Sequence, residues 1–259
     1  MDLELDGAVA VVTGASRGIG LAVTRALVDE GAHVVAGART ASAELTTLAA
    51  KGLVDVVPVD LGTPDGPAAL VDAAGGRVDV LVNNVGAVHP RLGGFLEVTD
   101  EQWLDSLTLN LMAAVRAMRA VLPTMLAAGR GAIVTVGSVN AFLPDPAVID
   151  YGAAKAALDN VCKAVSKEVG PRGVRVTWVD PGPVATDLWL GAGGVADTVA
   201  GAAGQSPDDV ASAAVAGTAT GRFTRPEEVA ALVVLLASGR AGNVTGTGIT
   251  VDGGLVATL

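Results

Sequence analysis

The feature that most limits what this chain can fold into is a rhythm: short β-branched runs alternate with longer stretches of helical periodicity. Strand-like runs occur at Ala8–Val12, Val34–Ala36, Val54–Val59, Val78–Val82, Ala132–Val136, Val174–Val179 and Gly248–Val251. Runs this short and this apolar suit strands covered on both faces. Between them, Ile19, Ala22, Val23, Ala26 and Leu27 recur at helical spacing within Gly18–Glu30. Thr99 and Gln102 form a capping box at the head of a long helix. On it Leu104, Leu107, Leu111, Val115, Met118, Leu122 and Met125 make one stripe. Tyr151–Val169 reads as another helix, stopped by Gly170-Pro171. Strict alternation of this kind predicts a single α/β domain over residues 1–259, a doubly wound parallel sheet of about seven strands with helices on both faces. Gly191–Gly221, rich in Gly, Ala and Ser, has too little pattern for a core element and is expected to be part of a mobile lid at about 187–221.

Charge removes several classes of function. Twenty-seven acidic against 17 basic residues give a net charge of −10, the wrong field for nucleic acid or an anionic membrane surface. A single cysteine, Cys162, sits among apolar residues and reads as core; two histidines, His33 and His89, cannot build a metal site, so no metal is expected. The start Met1-Asp2-Leu3-Glu4 lacks the basic and apolar regions of a signal peptide, and the longest unbroken apolar run, Val229–Ala237, is too short to span a bilayer. A soluble cytoplasmic protein is the expectation.

Chemistry shows first in the turn after the first strand, Thr13-Gly14-Ala15-Ser16-Arg17-Gly18-Ile19-Gly20. Glycines let the backbone approach a pyrophosphate, and the following helix N-terminus offers N–H groups to it. A dinucleotide fold that prefers NAD usually carries an acid near the end of the second strand. Here that strand ends Gly37-Ala38-Arg39-Thr40. Arg39, with Arg17 in the turn, suits the 2′-phosphate of NADP(H), so NADP(H) is favoured with NAD(H) possible. The second cluster is Tyr151-Gly-Ala-Ala-Lys155. Four residues apart on a helix, phenol and ammonium share a face, and a nearby cation is expected to bring the phenol's pKa down toward the working range.

These pieces resemble the short-chain dehydrogenase/reductase family in its TGxxxGxG and YxxxK form. The likeness runs from Thr13 to Val251-Asp252-Gly253-Gly254 and includes Asp60-Leu61, Asn83-Asn84-Val85-Gly86, Asn110, Ser138 and Pro181-Gly182-Pro183-Val184-Ala185-Thr186. The resemblance implies a Rossmann-type fold and an oxidoreductase that passes a hydride between nicotinamide and a ketone or secondary alcohol. It implies that Tyr151 is the acid/base, Lys155 its partner and holder of the nicotinamide ribose, Ser138 the group orienting the carbonyl, and Asn110 the support of a water relay. It implies that Gly14, Ser16, Arg17, Gly18, Ile19, Gly20 and Arg39 bind the cofactor with Asp60, Leu61, Asn83, Gly86, Pro181, Gly182, Val184 and Thr186. It further implies a homotetramer packed through the two long helices. There Ala113, Ala114, Ala117, Ala120, Ala153, Ala156 and Ala157 supply a second apolar face.

Two departures stand out: Val85 replaces the usual alanine of the NNAG motif, and Gly137 precedes Ser138 where a second serine is common. Two other readings remain open. One is a 3-oxoacyl thioester (acyl carrier protein) reductase, with Arg130 and Arg172 available to an acidic carrier. The other is a redox-silent dinucleotide-binding regulator on the same fold. The stretch from Asp187 to Gly221 holds no Lys or Arg and offers Leu188, Trp189, Leu190 and Val195, which favours a neutral substrate. His89-Pro90-Arg91 is a candidate border of the substrate mouth.

Overall fold

The computed structural model describes residues 2–257; Met1, at the head of the acidic start, and residues 258–259 lie outside the described part. Seven strands form one sheet: β1 (Val9–Thr13), β2 (His33–Ala38), β3 (Val54–Pro58), β4 (Val80–Asn83), β5 (Gly131–Val136), β6 (Val174–Pro181) and β7 (Gly248–Val251). Their order is β3-β2-β1-β4-β5-β6-β7, every pair parallel. The strand alternation divides the core in two, because successive side chains point to opposite faces. Ala10, Val12, Val34, Ala36, Val80, Val82, Val134 and Val136 face one layer, covered by α1 (Gly18–Asp29), α2 (Ala43–Ala49) and a helix at Pro226–Ala237. Val11, Val35, Leu81 and Ile133 face the other layer. That layer is built from α3 (Gly66–Asp72), α5 (Ala113–Ala128) and α6 (Ile149–Val169), while α4 (Asp100–Leu107) buries no residue.

α4 and α5 form one continuous rod joined by a π-helical turn at Thr108–Met112. Both arms of the Thr99/Gln102 capping box are made. The stripe expected on this rod is split: Met118 and Met125 are buried in the core, and Leu111 and Leu122 pack against it half-buried. Leu104 is 64% exposed, and Leu107, Leu111, Val115 and Leu122 are only half-buried. The fully buried row is Ala113, Ala114, Ala117, Met118, Val121 and Met125. A π turn inserts one extra residue, which rotates all that follows by roughly 100° relative to an unbroken helix. Ala113, Ala114 and Ala117 are thus inward, where small side chains let the helix lie close to the strands, and Leu104 is the stripe residue left exposed. By length and composition this 29-residue rod could cross a membrane, but its buried row is part of the core beneath the sheet.

The stretch expected to lack pattern is helical. It contains α7 (Asp187–Leu190), α8 (Val195–Ala203) and α9 (Pro207–Ala216), followed by α10 (Pro226–Ala237). Alanine is the best helix former, and Ser206-Pro207 supplies a cap and a first-turn proline, so α9 needs no long apolar stripe. α8 tucks in Ala196 and Ala200, whereas α9 buries no residue. The excursion leaves and returns at one clasp. The Ala185 N–H donates to the Thr224 carbonyl at 2.8 Å, and the Thr224 N–H donates to the Pro183 carbonyl at 2.9 Å.

Candidate active site

The site lies along the carboxyl ends of the strands, with the strand order reversing between β1 and β4, where open α/β sheets bind ligands. The glycine turn is held by shape. Gly14 and Gly18 have φ of 68° and 54°, a region L side chains avoid. A Cβ on Gly20 would strike the Gly14 carbonyl, one on Gly14 would sit 3.0 Å from Val85 Cα, and one on Gly18 would sit 3.2 Å from Thr186 Cγ2. So the turn, the β4 loop and the β6 loop close on one another, and Thr186 faces the turn. Arg17 occupies the N-cap of α1 in extended conformation with no side-chain cap bond, which leaves first-turn N–H groups available to an anion. A pyrophosphate fits this cradle.

Two residues that sequence reasoning did not single out lock the turn. Thr13 Oγ1 accepts the N–H groups of Asn84 at 2.8 Å and Val85 at 3.1 Å. Asn84 Nδ2 donates to the carbonyls of Thr13 and Gly14, both at 3.0 Å. Asn83, expected at the cofactor, is buried, with Nδ2 donating to Thr135 Oγ1 at 3.3 Å. Asn84 thus reaches the turn, and Asn83 reaches β5. Ser16 and Ile19 are half-buried in the turn. Arg17 and Arg39 are exposed, and among the described residues neither forms an ion pair. Asp60 is exposed and accepts the Gly62 N–H at 2.9 Å, while Leu61 is buried. Arg116 of α5 donates to the Gly62 and Thr63 carbonyls at 3.2 and 3.3 Å, tying down this loop. At the end of β6, Pro181 is buried in the strand, the Gly182 N–H donates to the Val251 carbonyl at 3.1 Å, and Val184 is buried.

Tyr151 and Lys155 stand one turn apart on α6, with Lys155 Nζ 5.7 Å from the Tyr151 ring centre. Lys155 is 3% exposed and donates to the Val136 carbonyl at 2.8 Å. Ser138, just past β5, has its hydroxyl 3.2 Å from Asn140 Oδ1. Burial raises the Tyr151 pKa; the Ser138 hydroxyl beside the phenol pulls it down, and Asp180 and Asp159 push it further up. The expected lowering by Lys155 is therefore not what the protein alone produces. Lys155 is itself lowered to about 8 by burial, against the opposing pull of Asp159 and Asp180.

Asn110 lies in the π turn and is 2% exposed. Its Oδ1 accepts the Ala87 N–H at 3.0 Å and its Nδ2 donates to the Ala87 carbonyl at 2.9 Å. A Cβ on Gly86 would come within 2.8 Å of Asn110 Oδ1 and 3.8 Å of Lys155 Nζ. Gly86 thus lets the β4 loop, Asn110 and Lys155 meet. Next to Tyr151, Arg91 of the β4 loop donates through Nε to Asp150 at 3.0 Å, a pair 12% and 2% exposed. His89 is exposed on that loop.

Other sequence expectations fall into place or move. Cys162 is fully buried, with its thiol pushed up to about 12 chiefly by burial, which makes it inert. Among the described residues no His, Cys, Asp and Glu cluster could hold a metal. Arg130 and Arg172 precede the first residues of β5 and β6, so they sit at the amino edge of the sheet, opposite the site. Arg130 is there beside Asp79, 3.5 Å away.

The sequence profile of the short chain dehydrogenase family matches residues 8–192. The 3-oxoacyl-[acyl-carrier-protein] reductase of Vibrio harveyi is 33% identical over 258 residues, covering 98% of this chain and 99% of that protein. L-sorbose reductase from Gluconobacter frateurii, solved with NADPH and L-sorbose, superposes with a TM-score of 0.90 at 35% identity over all of both chains. The aldohexose dehydrogenase of Thermoplasma acidophilum, solved without ligand, gives 0.85 at 28% identity, covering 98% of this chain and 96% of that one. The chain belongs to the short-chain dehydrogenase/reductase family and is a nicotinamide dinucleotide-dependent oxidoreductase acting on CH–OH and C=O groups.

Proposed function

We propose that the chain is an NADP(H)-preferring reductase of small, uncharged ketones, working in reverse on the matching secondary alcohols. The observation that carries this reading is the convergence of Ser138, Tyr151 and a buried Lys155 beside a glycine-shaped anion cradle. When bound, the cofactor supplies or takes the hydride. Ser138 orients the carbonyl oxygen, and Tyr151 gives that oxygen its proton. Lys155 holds the ribose and offsets the charge left on the phenol, while Asn110 fixes the loop next to it. Arg17 and Arg39 are the unpaired guanidinium groups suited to a 2′-phosphate. Small hydroxyketones fit best: L-sorbose reductase matches over its full length, and the 187–221 segment offers Leu188 and Leu190, both exposed, with no cationic group. Arg130 and Arg172, the basic residues available to the carrier-protein reading, lie at the opposite, amino end of the sheet.

Residues 187–221 act as the lid, hinged at the Val184/Thr224 clasp. The chain assembles as a homotetramer through the outer face of α4–α5, where Leu104 is exposed and Leu107 and Val115 are half-buried, and through α6, where Ala153 is exposed and Ala156 and Ala157 are half-buried. The decisive experiment is a panel of neutral ketones and keto sugars assayed with NADPH and with NADH. Turnover with NADPH is expected; equal use of both cofactors, or no turnover of any carbonyl, overturns the reading. Light scattering that reports a monomer at micromolar concentration overturns the assembly.

A further inference from the structure

Beside Lys155 lie two carboxylates that the reaction as described does not use. Asp180, near the end of β6, is 3% exposed and accepts the Ser138 N–H at 3.0 Å. Asp159, one turn beyond Lys155 on α6, has a buried Oδ1 with no hydrogen-bond partner. Both reach the same small space. A Cβ on Gly137 would collide with Asp180 Oδ1 and lie 3.0 Å from Asp159 Oδ1. A serine in place of Gly137 would fill the volume that the Asp180 carboxylate occupies. Gly137, Asp159 and Asp180 are therefore a matched set.

Two carboxylates this close, both partly desolvated, resist carrying two charges. Asp159 is raised to about 7 and Asp180 to about 6, burial being the main cause in each. The ionisable groups facing Lys155 are Tyr151, Asp159 and Cys162 from its own helix and Asp180 from β6. β5 and the segment after it contribute the Val136 carbonyl and the Ser138 hydroxyl, neither of which titrates. Asp159 also borders a solvent-open cleft of about 460 Å³ with Trp178 and Lys163, so protons can reach the pair from bulk water.

We propose that Asp180, together with Asp159, is a positioning residue of the proton relay: the pair fills the space opened by Gly137, anchors Ser138 through its N–H, and holds Lys155 as an ammonium. This rests on the acid/base reading of Tyr151 and Lys155. Charge on the pair favours protonated Lys155, and loss of that charge lets burial release its proton at lower pH. The pair thereby sets the upper pH limit of the active form.

Asp180→Asn keeps an oxygen for the Ser138 N–H and removes the charge. The chain has four lysines, so 13C labelling at lysine Cε followed by NMR titration resolves Lys155, assigned by its absence in Lys155→Arg. The expected result is a Lys155 midpoint at least half a pH unit lower in Asp180→Asn, with the basic limb of kcat/KM moving the same way. Asp159→Asn, which leaves the Ser138 contact untouched, should shift both in the same direction, guarding against misfolding of the first variant. An unmoved Lys155 midpoint in both variants overturns the proposal. Absence of carbonyl turnover would instead count against the oxidoreductase reading, because the NMR titration needs no substrate.

Discussion

The two halves of the site are built on opposite principles. Around β1 and β4 the protein works with backbone: glycines pressed against carbonyls, Thr13 and Asn84 making hydrogen bonds to main-chain atoms, and a helix end without a side-chain cap. Around β5 and β6 it works with buried ionisable groups whose proton affinities are displaced: Tyr151 up, Lys155 down, Asp159 and Asp180 up. The first half is a mould, and its tolerance is set by sterics. The second is an electrostatic balance, set by which groups share protons. Substitutions should therefore fail differently in the two halves.

Tyr151→Phe gives the largest effect: turnover should fall by roughly 10²–10⁴-fold, the usual worth of a positioned acid/base, while NADPH binding measured by fluorescence stays close to wild type. Lost binding in this variant would blur the division of labour. Gly20→Ala tests the mould. Its Cβ meets the Gly14 carbonyl, and such overpacking costs about 1–3 kcal/mol. Thermal melting should show the loss, and cofactor affinity should fall with it; a variant as stable and as tight as wild type would break the comparison. Arg39→Asp should raise the KM for NADPH by roughly 10-fold, the scale of about 1.4 kcal/mol, and leave NADH less affected. Steady-state kinetics with both cofactors checks this.

The smallest effect is on stability against pH. Asp159 and Asp180 are raised from 3.8 to about 7 and about 6, so the folded state binds more protons than the unfolded one. Their contribution is full below pH 3.8 and is lost as pH rises through about 6–7. Lys155, lowered from 10.5 to about 8, contributes stability that is present above 10.5 and lost as pH falls through about 8. These groups together give a minimum between about pH 7 and 8. Asp180→Asn should flatten its acidic side in calorimetric melts, and an unchanged profile would count against the electrostatic description of this half.

The mould was legible in the sequence and the balance was not. Glycine spacing after a buried run announces a tight strand-to-helix turn wherever it occurs, and the alternation of elements carried the sheet and all seven strands. That Asn84 would lock the turn depended on where β4 ends, which a run of apolar residues marks only to within a residue or two. The burial of Ala113, Ala114 and Ala117 on α5 was hidden by the π turn at Thr108–Met112, since no residue type there marks the insertion. The Asp159–Asp180 pair was invisible because its members are far apart in the chain and meet only across a missing Cβ at Gly137. A glycine that first reads as a lost hydroxyl turns out to be room for a carboxylate.

The clasp at Val184 and Thr224 carries a further consequence. Because the chain leaves β6 and comes back to α10 through two adjacent main-chain contacts, residues 187–221 form a cassette whose length and sequence can vary without changing the distance between its ends. Insertions, deletions or a transplanted segment from a relative would load onto the clasp and onto the Thr220–Gly253 contact beyond β7. On the lid reading proposed above, substrate scope can then drift, or be redesigned, on a timetable separate from cofactor use, with the sheet left as a constant chassis.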